Sequence, residues 1–214
     1  MFFRRDKTLN FAVAAPTSSM KLDFNPIIVL VVTWVVLCVG CAPNEPAATW
    51  KPVTSLTSRQ QLQKAQALEA KESLSSMLSL ELKAAMADPA TAIHFCKTRA
   101  PSIASQIGKE QNLRIGRTSF QIRNLNNQPP QWAKGFVRAR VNDAVTLQLA
   151  DDGLGLLFPI RVKTVCLHCH GQQSEMDPSI FAAVLSDYPD DKATGFKVGD
   201  LGGYFWIEVP LMDR

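Results

Sequence analysis

The 214 residues suit one domain with appendages, and a composition 46% hydrophobic and 20% charged can bury a real core. The net charge of +4 comes without a basic block, so the footprint of a nucleic-acid binder is missing and no nucleic-acid partner is expected.

The first 40 residues are expected to be a targeting segment. Ile27 to Val39 is apolar apart from Thr33, is too short to span a bilayer comfortably, and ends in Cys38-Val39-Gly40-Cys41. An apolar core closing on small residues has the form of a secretory signal. A cysteine directly after the small residue resembles a bacterial lipobox, in which Cys41 would be lipidated and become the mature N-terminus. Cys38 stands where the lipobox usually has Leu, and an uncleaved membrane anchor is the alternative. Both place the body of the protein outside the cytoplasm. Met20 begins a compact basic start, so 1–19 reads as a misassigned upstream start and 20–40 as a lipoprotein signal peptide. The expected location is the periplasmic side of a bacterial membrane, held by a lipid anchor. Residues 41–56, rich in Pro, Ala and Thr, read as a flexible tether.

Thr57 to Ala87 lacks Gly and Pro, and Leu74, Met77, Leu78, Leu82 and Ala85 recur at helical spacing, which predicts a long amphipathic helix. Asp88-Pro89 is a restart signal, with Asp at the N-cap and Pro at the first helical position. The helix that follows carries Ile93, Cys96 and Arg99, is bent or restarted by Pro101, and ends near Gly108. Leu113 and Ile115 alternate, as do Phe120 and Ile122, but out of phase, so a bulge or loop is expected near Gly116. Gln131 to Asn142 reads as helix. Val145, Leu147 and Leu149 alternate, Asp151-Asp152-Gly153 turns the chain, and Leu154 to Val162 alternates again. Pro159 predicts an edge position or a bulge for that strand. Ser179 to Ser186 reads as helix and Tyr204 to Val209 as a closing strand. Helices first, then strands joined by short turns, predict an α+β fold with an antiparallel sheet.

Cys166, Leu167, His168, Cys169 and His170 spell C-x-x-C-H. A structural zinc site needs four protein ligands, usually two such pairs, and there is no second pair. A thiol–disulfide site needs the motif at a helix start in a thioredoxin-like setting, whereas here it follows a strand and runs into Gly171. Covalent haem attachment fits better. Two thiols three positions apart reach the two vinyl groups of one porphyrin, and the next histidine falls beneath the iron. Thioether formation also takes place outside the cytoplasm, where the N-terminus sends this chain. Cys166 and Cys169 are thus the expected attachment residues and His170 the proximal ligand, with His168 a bystander.

The cysteine count then raises the question of the opposite ligand. Once the signal, the lipid and the haem have taken theirs, Cys96 is left alone in an exported protein. It reads either as a buried inert thiol or as an axial thiolate opposite His170. His94, two residues away and on the other side of the helix, competes with it, as do Met86, Met176 and Met212.

Several stretches together resemble the Tll0287-like haem-domain family: Ile93-His-Phe-Cys-Lys-Thr-Arg-Ala-Pro-Ser-Ile-Ala, Gly116-Arg-Thr-Ser with Arg123-Asn124, Cys-Leu-His-Cys-His-Gly, Tyr188-Pro-Asp-Asp-Lys-Ala-Thr-Gly-Phe and Gly199-Asp-Leu-Gly-Gly. They fall in the family order and cover roughly residues 57–214. The resemblance implies a PAS-like antiparallel sheet with N-terminal long helices and one covalent haem c, with His170 and Cys96 as axial ligands. Leu125 replaces the proline of the family's Arg-Asn-Pro stretch, and Gln131 and Ala133 replace acidic positions around Trp132. Arg117 and Arg123 read either as partners of the haem propionates or as solvated strand charges. Trp132 and Tyr204–Trp206 read as packing.

Thiolate opposite imidazole stabilises ferric iron, so a low-spin, low-potential haem is expected, with no open position for peroxide or oxygen. The leading function is a redox or small-ligand sensor, or a low-potential electron carrier, passing its signal to a separate redox or signalling protein. A haem-dependent redox enzyme such as a peroxidase is the alternative; it would first have to displace a ligand, Cys96 being the weak one.

Overall fold

The computed structural model describes residues 50–150 and 152–211. The signal segment, Cys41 and Met212 lie outside the described residues. In chain order come β1 (Trp50–Pro52), α1 (Ser58–Ala85), α2 (Pro89–Glu110), β2 (Arg114–Thr118), α3 (Lys134–Arg138), β3 (Val145–Leu149), β4 (Leu154–Arg161), α4 (Leu167–His170), α5 (Pro178–Asp187) and β5 (Leu201–Val209). The five strands form one antiparallel sheet in the order β1-β3-β4-β5-β2, an α+β architecture. Among the described residues no helix is long and apolar enough to cross a membrane. Within the stretch expected to be tether, Trp50–Pro52 pairs with β3 at the edge of the sheet.

Helix α1 starts where Thr57 and Gln60 close a capping box, each side chain meeting the other's backbone N–H. Its buried stripe of Gln63, Ala67, Ala70, Leu74 and Leu78 has helical spacing, and Met77, Leu82 and Ala85 pack beside it. The stripe meets α2 through Phe95, Ile103 and Ile107, and the sheet through Leu154, Leu156 and Ile207. Burying a side chain such as Leu74 contributes about 2 kcal/mol. On the opposite face Trp132, Val137, Leu147, Leu157 and Tyr204 form a second core, where the Tyr204 hydroxyl donates to Val141 O at 2.9 Å and Trp132 Nε1–H donates to Glu208 Oε1 at 2.8 Å.

Two expectations are corrected, and two are decided between their alternatives. Pro101 does not restart α2, which runs unbroken through it. A proline at this point frees the carbonyl four residues earlier, and Asn124 Nδ2 approaches that carbonyl, Lys97 O, at 3.5 Å. Of the bulge or loop expected near Gly116 it is the loop that occurs: Gly116 itself pairs in register with Trp206, and a Cβ there would lie 2.6 Å from the Trp206 ring, so glycine serves close packing. The alternation breaks because the chain leaves the strand after Thr118, and the irregularity in the sheet falls at Ile160/Arg161. Gln131 to Asn142 is not one helix: a 3-10 turn at Gln131–Ala133 leads into the short α3, and Arg140 turns left-handed at φ 53. Lastly, of the two readings of Pro159 the edge fails, since β4 is the central strand, and the irregularity stands, falling at Ile160/Arg161 beside the proline. Pro159 is tolerated because β3 pairs only as far as Leu157, so the chain beyond it is open on that side.

Candidate functional site

The C-x-x-C-H residues sit on one tight turn that leaves the end of β4. A 3-10 turn at Thr164–Cys166 runs directly into the single turn of α4, and Cys166 Sγ accepts the Lys163 N–H at 3.3 Å. Such compact helical geometry keeps Cys166, Cys169 and His170 within one turn of each other. Cys96, Cys166 and Cys169 are all free thiols.

His170 is oriented by a segment 23 residues downstream: its Nδ1 lies 2.7 Å from Ala193 O. A carbonyl only accepts, so Nδ1 carries the proton. Burial, then the Arg123 cation, hold the imidazole down at about 4, against the opposing pull of the Ala193 hydrogen bond and Asp191. The ring is therefore neutral near pH 7, and Nε2 is left as a lone-pair donor. This is the tautomer of a metal-ligating histidine with a carbonyl behind it.

Arg123 ties the turn to its surroundings. Its Nε donates to Asp191 Oδ1 at 3.0 Å and its Nη2 to Asp191 Oδ2 at 2.9 Å, while Nη2 also reaches Cys169 O at 2.6 Å and Ala193 O at 3.4 Å. One guanidinium thus joins the loop after β2, the C-x-x-C-H turn and the loop that orients His170. It is neither solvated nor on a strand.

Cys96 reaches the same place from α2. It packs half-buried against the first core, and burial pushes its thiol up while Arg117 and Arg123 pull it down. Burial also raises Cys169, which Arg123 lowers and which feels both Cys96 and Cys166. Tyr188 is pushed up by burial within the fields of Cys96, Arg123 and Arg117. Arg117 stands on the helix-covered side of β2, in step with Ile115, and burial of its guanidinium pulls it down. Its guanidinium makes no hydrogen bond or ion pair among the described residues. A half-buried cation without a carboxylate is unfavourable, and an anionic group at this point would relieve it.

The fold therefore gathers Cys96, Arg117, Arg123, Cys166, Cys169 and His170 into one electrostatic neighbourhood. Of the other candidate ligands, His94 has a side chain 66% exposed, with Nδ1 3.9 Å from Asp187. Met176 is buried beside Ile93, Tyr188 and Cys169, and Met86 lies half-buried just beyond α1. Sequence reasoning missed Tyr188 as a neighbour of Cys96, and Asp191 and Ala193 as the residues behind Arg123 and His170. The Tyr-Pro-Asp-Asp-Lys-Ala stretch that carried part of the family resemblance was the available signal. Among the described residues no three His, Cys, Asp or Glu side chains are grouped so that they could hold a metal ion.

A solved structure described as the cyanobacterial heme-protein Tll0287 is similar to this chain in fold, with a TM-score of 0.54 and 21% identity over 74% of this chain and 99% of the other. No curated protein matches the chain convincingly. The family model for Tll0287-like proteins matches residues 53–210, and on that match the chain belongs to the Tll0287-like family.

Proposed function

We propose that this chain is an exported c-type haem protein, with haem held covalently by Cys166 and Cys169 and its iron held by His170 and Cys96. It acts as a redox or small-ligand sensor, or as a low-potential electron carrier. The observation that carries this reading is the meeting of Cys96 with the C-x-x-C-H turn, where His170 keeps Nε2 free because Nδ1 is spent on Ala193 O. The similar fold of a protein described as a heme-protein supports it. The PAS-like description rests on the meander of β3, β4 and β5 with β2 laid beside β5.

When bound, the haem supplies a one-electron iron couple. The protein's own residues orient and tune it. Ala193 fixes the imidazole, and Arg123 with Asp191 fixes the turn that carries both attachment cysteines. Arg117 keeps all its donors for an anion, a propionate or the Cys96 thiolate. Arg123 was expected to serve a propionate too; with Nε and Nη2 engaged, only Nη1 is left for that. Covalent attachment outside the cytoplasm agrees with the N-terminal segment, and lipidation at Cys41 would hold the domain at the periplasmic face of a bacterial membrane, handing its signal to a separate protein.

The test is a pyridine haemochrome assay on the full chain matured in a host competent for c-type cytochromes, with a haem stain after denaturing electrophoresis. One haem c per chain, retained on the gel, is expected. Protein that matures without haem overturns the reading.

A further inference from the structure

Near the His170 cluster lies an open surface pocket of about 400 Å³, lined in part by Phe120, Arg140, Asn142, Thr194, Phe196 and Asp200. This volume suits a small organic molecule. Arg140 sits in it at φ 53, a left-handed conformation that a non-glycine residue seldom adopts. Its guanidinium lies 4.3 Å from the centroid of the Phe120 ring. Arg140 is exposed, and its cation makes no hydrogen bond or ion pair to protein among the described residues, so its N–H donors are open to a ligand in exchange for water. Asp200, the acid of the lining, has Oδ2 engaged by the Lys197 N–H at 2.7 Å. Arg161 adds a second guanidinium at the rim, its Nη2 donating to Asn142 O at 3.2 Å and Asn142 Oδ1 at 3.1 Å. The Thr194 hydroxyl accepts from Gln173 Nε2 at 3.3 Å and retains its own proton to donate. The surplus is cationic, beside aromatic rings.

The same wall holds the imidazole. Gly195 N–H donates to Gly171 O at 2.8 Å and Phe196 N–H to His170 O at 3.0 Å, while Ala193 O accepts from His170 Nδ1. The Phe196 ring stands edge-on to Phe120 and to His170, with centroids 6.4 Å away in each case. Anything that presses on Thr194, Gly195 or Phe196 presses on the residues that aim His170.

We infer that this pocket binds a small organic anion, a carboxylate on a flat apolar body, and that its occupancy is transmitted to His170 through residues 193–196. The site stands on its own; the transmission to a haem spectrum rests on the function proposed above, whose ligand class it names.

Benzoate is the probe and benzyl alcohol the uncharged control, titrated into the full chain by calorimetry, with absorption and electron paramagnetic resonance spectra of the ferric protein taken on the same samples. Saturable benzoate binding at one site is expected, weakened about tenfold or more in Arg140→Gln, the loss of one charge-assisted contact, and by a smaller factor in Thr194→Val. Benzyl alcohol should bind at least about tenfold more weakly, and the ferric spectrum should shift along the calorimetric curve. Absence of saturable binding, or equal binding by a folded Arg140→Gln protein and by Thr194→Val, overturns the site. Binding without a spectral shift in haem-loaded protein overturns the transmission. If the chain matures without haem and benzoate still binds through Arg140, the haem reading fails and the site stands.

Discussion

Arg123 and Asp191 form a bidentate ion pair, Nε to Oδ1 at 3.0 Å and Nη2 to Oδ2 at 2.9 Å, with side chains only 9% and 4% exposed. Because Arg123 also donates to Cys169 O and Ala193 O, removing it strips two carbonyls of a donor and leaves the buried Asp191 carboxylate without a cation, held only by the Ala193 N–H at 2.9 Å. Arg123→Ala should cost about 3–5 kcal/mol in denaturant unfolding, and Arg123→Lys should recover little, since an ammonium cannot span both carboxylate oxygens. In the double variant with Asp191→Asn the two losses should be far from additive.

Cys96 and the motif cysteines should separate by phenotype. Cys96→Ser keeps the helix and the attachment turn, so the haem should stay on the protein in denaturing electrophoresis while the ferric absorption and resonance spectra change. Cys166→Ala or Cys169→Ala should instead weaken covalent retention. A spectrum untouched by Cys96→Ser would turn attention to Met176, buried beside Cys169.

Asn124 answers the carbonyl that Pro101 leaves unpaired. Asn124→Ala should destabilise the chain by about 1 kcal/mol, measured by chemical unfolding. In a Pro101→Ala background the helix regains its own donor for Lys97 O, and the same substitution should cost much less. Equal costs in the two backgrounds would dismiss the relationship.

Gly203 sits at φ 157 in β5, and a Cβ there would lie 2.4 Å from Thr118 O, a backbone atom fixed by the β2–β5 register. Gly203→Ala therefore has to move the edge strand or break its pairing. A loss of about 2–4 kcal/mol is expected, with faster amide exchange confined to β2 and its partner residues in β5.

Asp88 and Asp177 cap α2 and α5, and hydrogen bonds to Thr91 and Ser179 hold both carboxyls below their ordinary value of 3.8. A carboxyl lowered by folding contributes stability above its unfolded value and loses it as pH falls through the folded one. Acid unfolding should thus gain slope below about pH 4. The double change Asp88→Asn, Asp177→Asn should flatten that limb while leaving stability at pH 7 nearly unchanged, because Asn caps as well as Asp.

The elements that were legible in the sequence are those whose cause is local. The Asp88-Pro89 start of α2, the α1 stripe through Leu74 and Leu78 and the alternation of β4 each follow from residues within a few positions of one another. The two prolines needed the tertiary structure to be read. Pro101 does not restart α2, because Asn124 from another loop meets the carbonyl it frees, and Pro159 marks an irregular stretch of β4 that β3 leaves open, not a sheet edge.

The site divides in the same way. Spacing alone was enough to single out Cys166, Cys169 and His170, since three residues on one helical turn are neighbours in any fold. Cys96 was visible as an unpaired thiol and through the family resemblance, not through any spacing to the motif. Its meeting with Cys169, and with Arg117 and Arg123, required α2 to be laid on the sheet beside β2 and the turn after β4 to be folded toward it. The tautomer of His170 was decided last and from farthest outside the motif, because it depends on one carbonyl, Ala193 O, that only tertiary packing brings to within 2.7 Å.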